Sequence, residues 1–251
     1  MIRFSSPLVK GKLISRYKRF LADIELENGN TVTAHCPNTG SMKSCGEKGD
    51  TVFLTHNNSP KRKLAYTWEF TQTTQGLIGI NTGRPNQIIE TALRSRQIPE
   101  LSQYDIVKKE IKVSDRSRLD FFCQDSDQME PNCLIEVKNV TLLENETLLF
   151  PDAISQRGLK HLQELSQLAQ QGNRAIIFFF INRPEGKRFE IARAIDLKYY
   201  QGFSDALKAG VEPLVYRALP SMEGIAVGST VPLVHPGYSN DRTASNILIN
   251  H

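Results

Sequence analysis

The chain has 251 residues, 39% of them hydrophobic and 23% charged, with a net charge of +4. That composition fits one large or two modest folded domains and excludes a disordered or fibrous chain. No apolar run reaches membrane-spanning length, the first residues lack the basic-then-apolar order of a signal peptide, and the four cysteines form no C-x-x-C pair that would mark a zinc site. A cytoplasmic protein with reduced thiols and no membrane partner is expected.

The charge is unevenly placed. Residues 1–80 hold 11 Lys or Arg against 6 Asp or Glu, so the whole basic excess lies in the first third of the chain. This suits a polyanion partner, and equally a solvated basic domain.

Short strands and turns fill that third. Residues 13–26 alternate in part, Asn28-Gly29 is a hairpin turn, and residues 31–35 form the return strand. Strands at 51–54 and 64–70 follow. Several short strands with turns between them predict a small OB-like β-barrel over residues 1–82. Arg16, Tyr17, Lys18, Arg19 and Phe20 interleave cations with aromatics, and Lys61, Arg62 and Lys63 crowd one loop. Cations neutralise phosphates and aromatic faces stack on bases, so both clusters are candidate DNA contacts. The bland reading puts Tyr17, Phe20 and Trp68 in the core. Residues 35–42, His-Cys-Pro-Asn-Thr-Gly-Ser-Met, read as a structured loop whose amides touch phosphate.

Residues 82–85, Thr-Gly-Arg-Pro, mark a domain boundary. A helix over 86–96 is predicted, capped by Asn86. Strands at 106–113, 117–123 and 133–140 come next, then a helix capped by Asp152 and running to Gln171. The apolar run 174–181 predicts a strand buried on both faces. A helix around 199–209 and a strand at 211–216 complete the order. Residues 83–233 are thus an α/β domain, and 234–251, rich in Asn, Ser, Pro and Gly, read as a flexible tail.

Within the α/β domain, Asp120 lies on the second strand and Glu136-Val137-Lys138 on the third. Strand alternation puts Glu136 and Lys138 on one face, and Leu119 and Phe121 together on another. D…ExK is the pattern of metal-dependent phosphodiesterases, and helix, three strands, helix, strand is the restriction-endonuclease-like order. The pattern also arises by chance on the wet face of a strand; its agreement with the topology favours a site. Asp120 and Glu136 are the candidate metal ligands for Mg²⁺ or Mn²⁺, and Lys138 the group that assists the attacking water. Glu90 on the first helix is a fourth candidate, or an ordinary surface residue.

Several stretches resemble the sugar fermentation stimulation protein A family. They include Arg16-Tyr17-Lys18-Arg19-Phe20-Leu21-Ala22-Asp23, His35-Cys36-Pro37-Asn38-Thr39-Gly40-Ser41-Met42, Lys61-Arg62-Lys63-Leu64, Arg118-Leu119-Asp120-Phe121 and Glu136-Val137-Lys138-Asn139-Val140. The resemblance implies an OB-like domain followed by a nuclease-like domain. It also implies DNA binding without marked sequence preference, single- or double-stranded, and a regulatory role in sugar (maltose) metabolism. A homodimer stays open. Beside the nuclease reading stands a non-catalytic DNA-binding regulator on the same scaffold. Asp152 and His161 lie near the proposed site in sequence, Asp152 as a helix cap and His161 as a partner on a helix face.

Overall fold

A computed structural model describes residues 1–43, 45–114 and 117–239. The chain opens on strand β1 (Ile2–Arg3). Then come β2 (Val9–Tyr17), β3 (Leu21–Leu26), β4 (Thr31–His35), β5 (Thr51–His56), β6 (Tyr66–Thr73) and β7 (Gly76–Gly79). Alternation along β2 and β3 points Leu13, Ala22, Ile24 and Leu26 inward. The order β4-β3-β2-β5-β6 closes on itself through Ala34↔Tyr66 and His35↔Thr67, which makes the five-stranded OB barrel. Closure leaves these five strands no free edge. Trp68 is fully buried in the barrel, with its indole N–H donated to the Phe70 carbonyl at 2.9 Å.

The second domain begins with helix α1 (Arg84–Arg94), followed by β8 (Ile106–Ser114), β9 (Ser117–Gln124) and β10 (Cys133–Val140). A small sheet is formed by β11 (Leu142–Glu144), β12 (Thr147–Phe150) and, later, β14 (Arg188–Ile191). Helix α2 (Gln156–Gln170) leads to β13 (Arg174–Ile181), and helix α3 (Leu197–Lys208) to β15 (Glu212–Pro220) and β16 (Gly224–Thr230). The main sheet runs β1-β16-β15-β13-β10-β9-β8, with β10, β13 and β15 parallel. Strand β13 sits near its centre. Phe178 and Phe180 face the core under α1, while Ile177 and Phe179 face the core under α2 and α3, so the apolar run is buried on both faces as expected. The architecture is the predicted one: an OB barrel, then an α/β domain with three helices.

Several details differ from the sequence reading. The first strand leaves the expected 1–82 barrel: Ile2 and Arg3 pair with Ile225 and Gly224 of the second sheet. A Cβ on Gly224 would lie 2.1 Å from the Ile2 carbonyl oxygen, so only glycine allows this approach. Helix α1 starts two residues early, with Gly83 as N-cap and Pro85 in its first turn, which frees the Asn86 side chain for other work. Helix α2 is capped by Ser155, which accepts from Gly158 N at 3.0 Å; Asp152 lies outside it. Finally, the start of the expected tail is tied to the second domain. Val234 N donates to Phe189 O, and His235 is 6% exposed. The rest of that stretch, from 240, falls outside the described residues. No described helix is long and apolar enough to cross a membrane.

Candidate functional site

Strands β9 and β10 pair from Cys123↔Cys133 to Phe121↔Ile135 and no further. In the next row the Asp120 side chain takes over. Its Oδ2 accepts Val137 N at 2.7 Å, and its Oδ1 accepts Asn86 Nδ2 from α1 at 2.7 Å. The expected alternation breaks at this point. Leu119 packs in the core under α2, whereas Phe121 packs in the core under α1, so the two do not share a face. Glu110, opposite Asp120 in the β8–β9 register, has φ +53. That left-handed residue interrupts the regular alternation of β8 in the row beside the break in β9.

Glu136 reaches the same opening from β10. Its Oε1 accepts Lys138 Nζ at 2.6 Å and contacts His161 Nδ1 of α2; Lys138 Nζ and His161 Nδ1 are themselves 3.2 Å apart. Asp120 is thus tied to the helix on one side of the sheet and Glu136 to the helix on the other. All four side chains are largely buried. Glu136 Oε2 and the Tyr199 hydroxyl are buried with no hydrogen-bond partner among the described residues.

The two carboxylates are poised differently. Burial, and then the Glu136 charge, push the Asp120 carboxyl up to about 6. Burial acts on Glu136 in the same sense, but His161 and Lys138 together outweigh it and hold that carboxyl below its ordinary value. Burial, with Glu136 and Asp196 nearby, lifts the Tyr199 phenol well above its ordinary range. Such divergence between neighbouring acids is common at functional sites. Glu90, the fourth candidate, is not brought to this cluster: it pairs with Arg94 and with Lys109 of β8. Asn86, one turn earlier on α1, is the helix residue that meets Asp120. Its spacing from Glu90 was the available signal. Nothing in the sequence singled out Tyr199.

The basic clusters also find definite places. Tyr17 to Phe20 form the tip between the barrel's first and second strands, and residues 57–65 join its fourth and fifth. These are the two loops through which OB barrels grip oligonucleotides. Tyr17 is 36% and Phe20 47% exposed, so neither is core. Lys18 and Arg19 are exposed at the turn, with φ of +49 and +66. Lys61, Arg62 and Lys63 are all exposed, and Arg62 donates to Thr67 Oγ1. Arg16 is different. Its guanidinium bonds the Arg19, Asn38 and Gly40 carbonyls and so braces the following loop.

Two amides of that loop are used within the protein. Gly40 N donates to Asn38 Oδ1, and Ser41 donates to Asp152 Oδ2 through both N and Oγ at 3.1 Å. A Cβ on Gly40 would lie 2.7 Å from Asp152 Oδ2. A cavity of about 200 Å³ opens at this junction, lined in part by Asn38, Gly40, Thr82, Asn139, Thr141 and Asp152. The domain boundary is equally tight. Glu69 of β6, 1% exposed, receives Arg84 Nη2 at 2.6 Å and Nε at 2.9 Å, with Asn81 and Thr55 as further donors.

Comparison with known proteins agrees with this architecture. A family model described as the SfsA N-terminal OB domain matches residues 14–80, and one described as the sugar fermentation stimulation protein RE domain matches residues 83–224. The sugar fermentation stimulation protein homolog of Marinomonas sp. is 44% identical over 238 residues, covering 94% of this chain and 92% of its own. That of Geobacter sulfurreducens is 44% identical over 228 residues, covering 91% and 97%. A solved structure described as Pyrococcus furiosus SfsA in complex with Ca²⁺ superposes with a TM-score of 0.83 at 26% identity, covering 93% of this chain and 98% of that one. With both domains matched and relatives aligned over nearly their whole length, the chain belongs to the sugar fermentation stimulation protein family.

Proposed function

We propose that this protein binds DNA through the loop end of its barrel and carries a divalent-cation-dependent phosphodiesterase site at Asp120, Glu136 and Lys138. The observation that supports the site most is the Glu136 carboxylate. One oxygen is held by Lys138 and His161, and the other is buried with no donor. A buried acceptor without a partner is costly, and a cation is one way to satisfy it. Burial first, and then the nearby Glu136 charge, raise the Asp120 carboxyl, and a positive charge between the two carboxylates would relieve both.

The donor set fits a hard, oxygen-preferring ion such as Mg²⁺ or Mn²⁺, held by Asp120 and Glu136. The Pyrococcus furiosus relative is described with Ca²⁺, an ion of the same preference. When bound, such an ion stabilises charge on phosphoryl oxygens. The chain's own residues do the rest. Asn86 and the Val137 amide fix the Asp120 carboxylate, and His161 fixes Glu136 and Lys138. The Lys138 ammonium orients the attacking water and offsets charge on the phosphorane. The exposed Tyr17 and Phe20 stack on bases, while Lys18, Arg19 and Lys61 to Lys63 neutralise phosphates. None of these contacts reads a base edge, so little sequence preference is expected. A role in sugar metabolism rests on the family's name.

The test is cleavage of supercoiled plasmid and single-stranded DNA with Mg²⁺ or Mn²⁺, comparing wild type with Glu136→Gln and Lys138→Ala. Nicking by wild type that both substitutions abolish supports the reading. DNA binding with no cleavage on either substrate replaces it with a non-catalytic DNA-binding regulator.

A further inference from the structure

The two domains offer different chemistry to a nucleic acid. Among the described residues, Tyr17 and Phe20 are the exposed large aromatics, and both sit on one barrel hairpin. Stacking on them requires bases that are already unpaired. The second domain shows no such ring. Its one aromatic on the β8–β9 ribbon with a cation beside it, Phe122, lies under Lys108 at 5.7 Å.

Instead, cations flank the opening that holds Asp120 and Glu136. Arg118 is exposed two residues before Asp120 on β9. On the α2 side stand Arg157 and Lys160, both exposed, with Lys160 adjacent in sequence to the His161 that touches Glu136. Glu164 joins the two sides, accepting Ser117 Oγ of β9 at 2.5 Å and pairing with Lys160 at 3.6 Å. Arg157 lies in the first turn of α2, which carries no acidic residue. The helix dipole favours negative charge at this end, where Asp196 already accepts the Ser155 N–H, and the exposed Arg157 faces solvent beside it. Acids border this strip as well: Glu164 pairs with Lys160, and Asp196 accepts Ser155 N at 2.8 Å at the α2 cap. Charges on regular elements with no stacking ring suit the continuous phosphate backbone of a duplex.

The two surfaces are structurally continuous. Arg16, at the base of the aromatic hairpin, bonds the Asn38 and Gly40 carbonyls, and Ser41 bonds Asp152, three residues before the α2 cap.

We infer that Arg118, Arg157 and Lys160 form a phosphate track for duplex beside the Asp120–Glu136 opening, while the Tyr17–Phe20 hairpin takes unpaired bases. The substrate class of this protein is then a nucleic acid in which duplex meets single strand. This rests on the nucleic-acid reading above and narrows it.

The experiment measures binding by the full chain, in Ca²⁺ buffer over a range of salt. The probes are a short blunt duplex, a single strand of the same sequence, and that duplex with a single-stranded extension. The extended duplex is expected to bind roughly tenfold or more tighter than either simple form, because each surface raises the effective concentration of the other. Arg118→Ala/Arg157→Ala/Lys160→Ala should weaken duplex binding and flatten the salt slope by about 3 × 0.9. Tyr17→Ala/Phe20→Ala should remove the advantage of the extension, bringing the extended duplex down to the affinity of the blunt one. All five positions are exposed, and a thermal melt checks folding; Arg118→Lys/Arg157→Lys should restore the slope. Equal affinity for blunt and extended duplex, or an unchanged slope in the triple variant, overturns the inference while DNA binding stands. Failure of wild type to bind any probe at low salt overturns the DNA reading and this inference with it.

Discussion

The Asp120 carboxylate accepts the Val137 backbone N–H at 2.7 Å, so a side chain occupies the place of a ladder hydrogen bond where β9 and β10 part. This ties the strand opening to the charge of the site. Asp120→Asn keeps the shape but removes a charge that Glu136 opposes. Mn²⁺ binding, followed by calorimetry, should disappear in Asp120→Asn, while its thermal stability holds at or above that of wild type. Asp120→Ala should lose Mn²⁺ binding and also about 1–3 kcal/mol of stability, because it strands the Val137 amide and the Asn86 side chain. Unchanged Mn²⁺ binding in Asp120→Asn removes Asp120 from the ligand set.

Glu69 and Arg84 form a buried pair across the domain boundary, with Arg84 22% and Glu69 1% exposed. Removing one partner leaves a charge in a poorly solvated place. Glu69→Ala is expected to cost about 3–5 kcal/mol in urea unfolding. Both domains should be affected, since the pair links β6 to the start of α1. Loss confined to one domain would show that the boundary is not energetically shared.

Lys18 and Arg19 hold positive φ in the three-residue turn, 18–20, that joins the paired residues Tyr17 and Leu21. Asn-Gly adopts that geometry without strain, whereas each ordinary residue there costs of order 1–2 kcal/mol. Lys18→Asn/Arg19→Gly should therefore raise stability by about 1–3 kcal/mol while weakening DNA binding and its salt slope. Such strain is commonly kept where a site needs it. A variant that is more stable and binds DNA as before would place the phosphate contacts elsewhere.

His235 is buried between the Tyr200 and Phe203 rings, and its Nε2 lies 2.9 Å from Ser204 Oγ. Burial lowers its pKa. A depressed histidine binds its proton more readily in the unfolded chain. Its contribution to stability is therefore complete above the unfolded value of about 6.5 and is lost as pH falls through that value toward the lower folded one. Thermal melts from pH 7.5 to about 5 should show that loss, and His235→Gln should flatten it. An identical pH profile in the variant would assign the loss to other groups.

Much of this was legible in one chain. Turn chemistry at Asn28-Gly29 and the apolar run at 174–181 lead directly to β3–β4 and β13, because strand pairing across a tight turn and burial of a continuous apolar run are local or near-local effects. The positions of Asp120, Glu136 and Lys138 on successive strands follow from the same periodicity. Glu90 misled because helical spacing identifies a face but not the residue on it that meets a strand. Asp152 resembled a cap for a related reason: an acid before a helix fits two geometries, and here Ser155 fills the cap while Asp152 receives Ser41.

The sequence by itself determined the order of the two domains, the exposed basic loops and the carboxylate pair, since these depend on short-range patterns of polarity and turn residues. Tertiary structure decided which groups complete the site. Asn86 and Asp120 are 34 residues apart, His161 and Glu136 are 25 apart, and Ser41 and Asp152 are 111 apart. No periodicity encodes such meetings. The first two are set by the packing of α1 and α2 on opposite faces of one sheet, and the third by a barrel loop meeting the segment before α2; each buries polar groups together and leaves them to be satisfied by whatever the fold brings within reach.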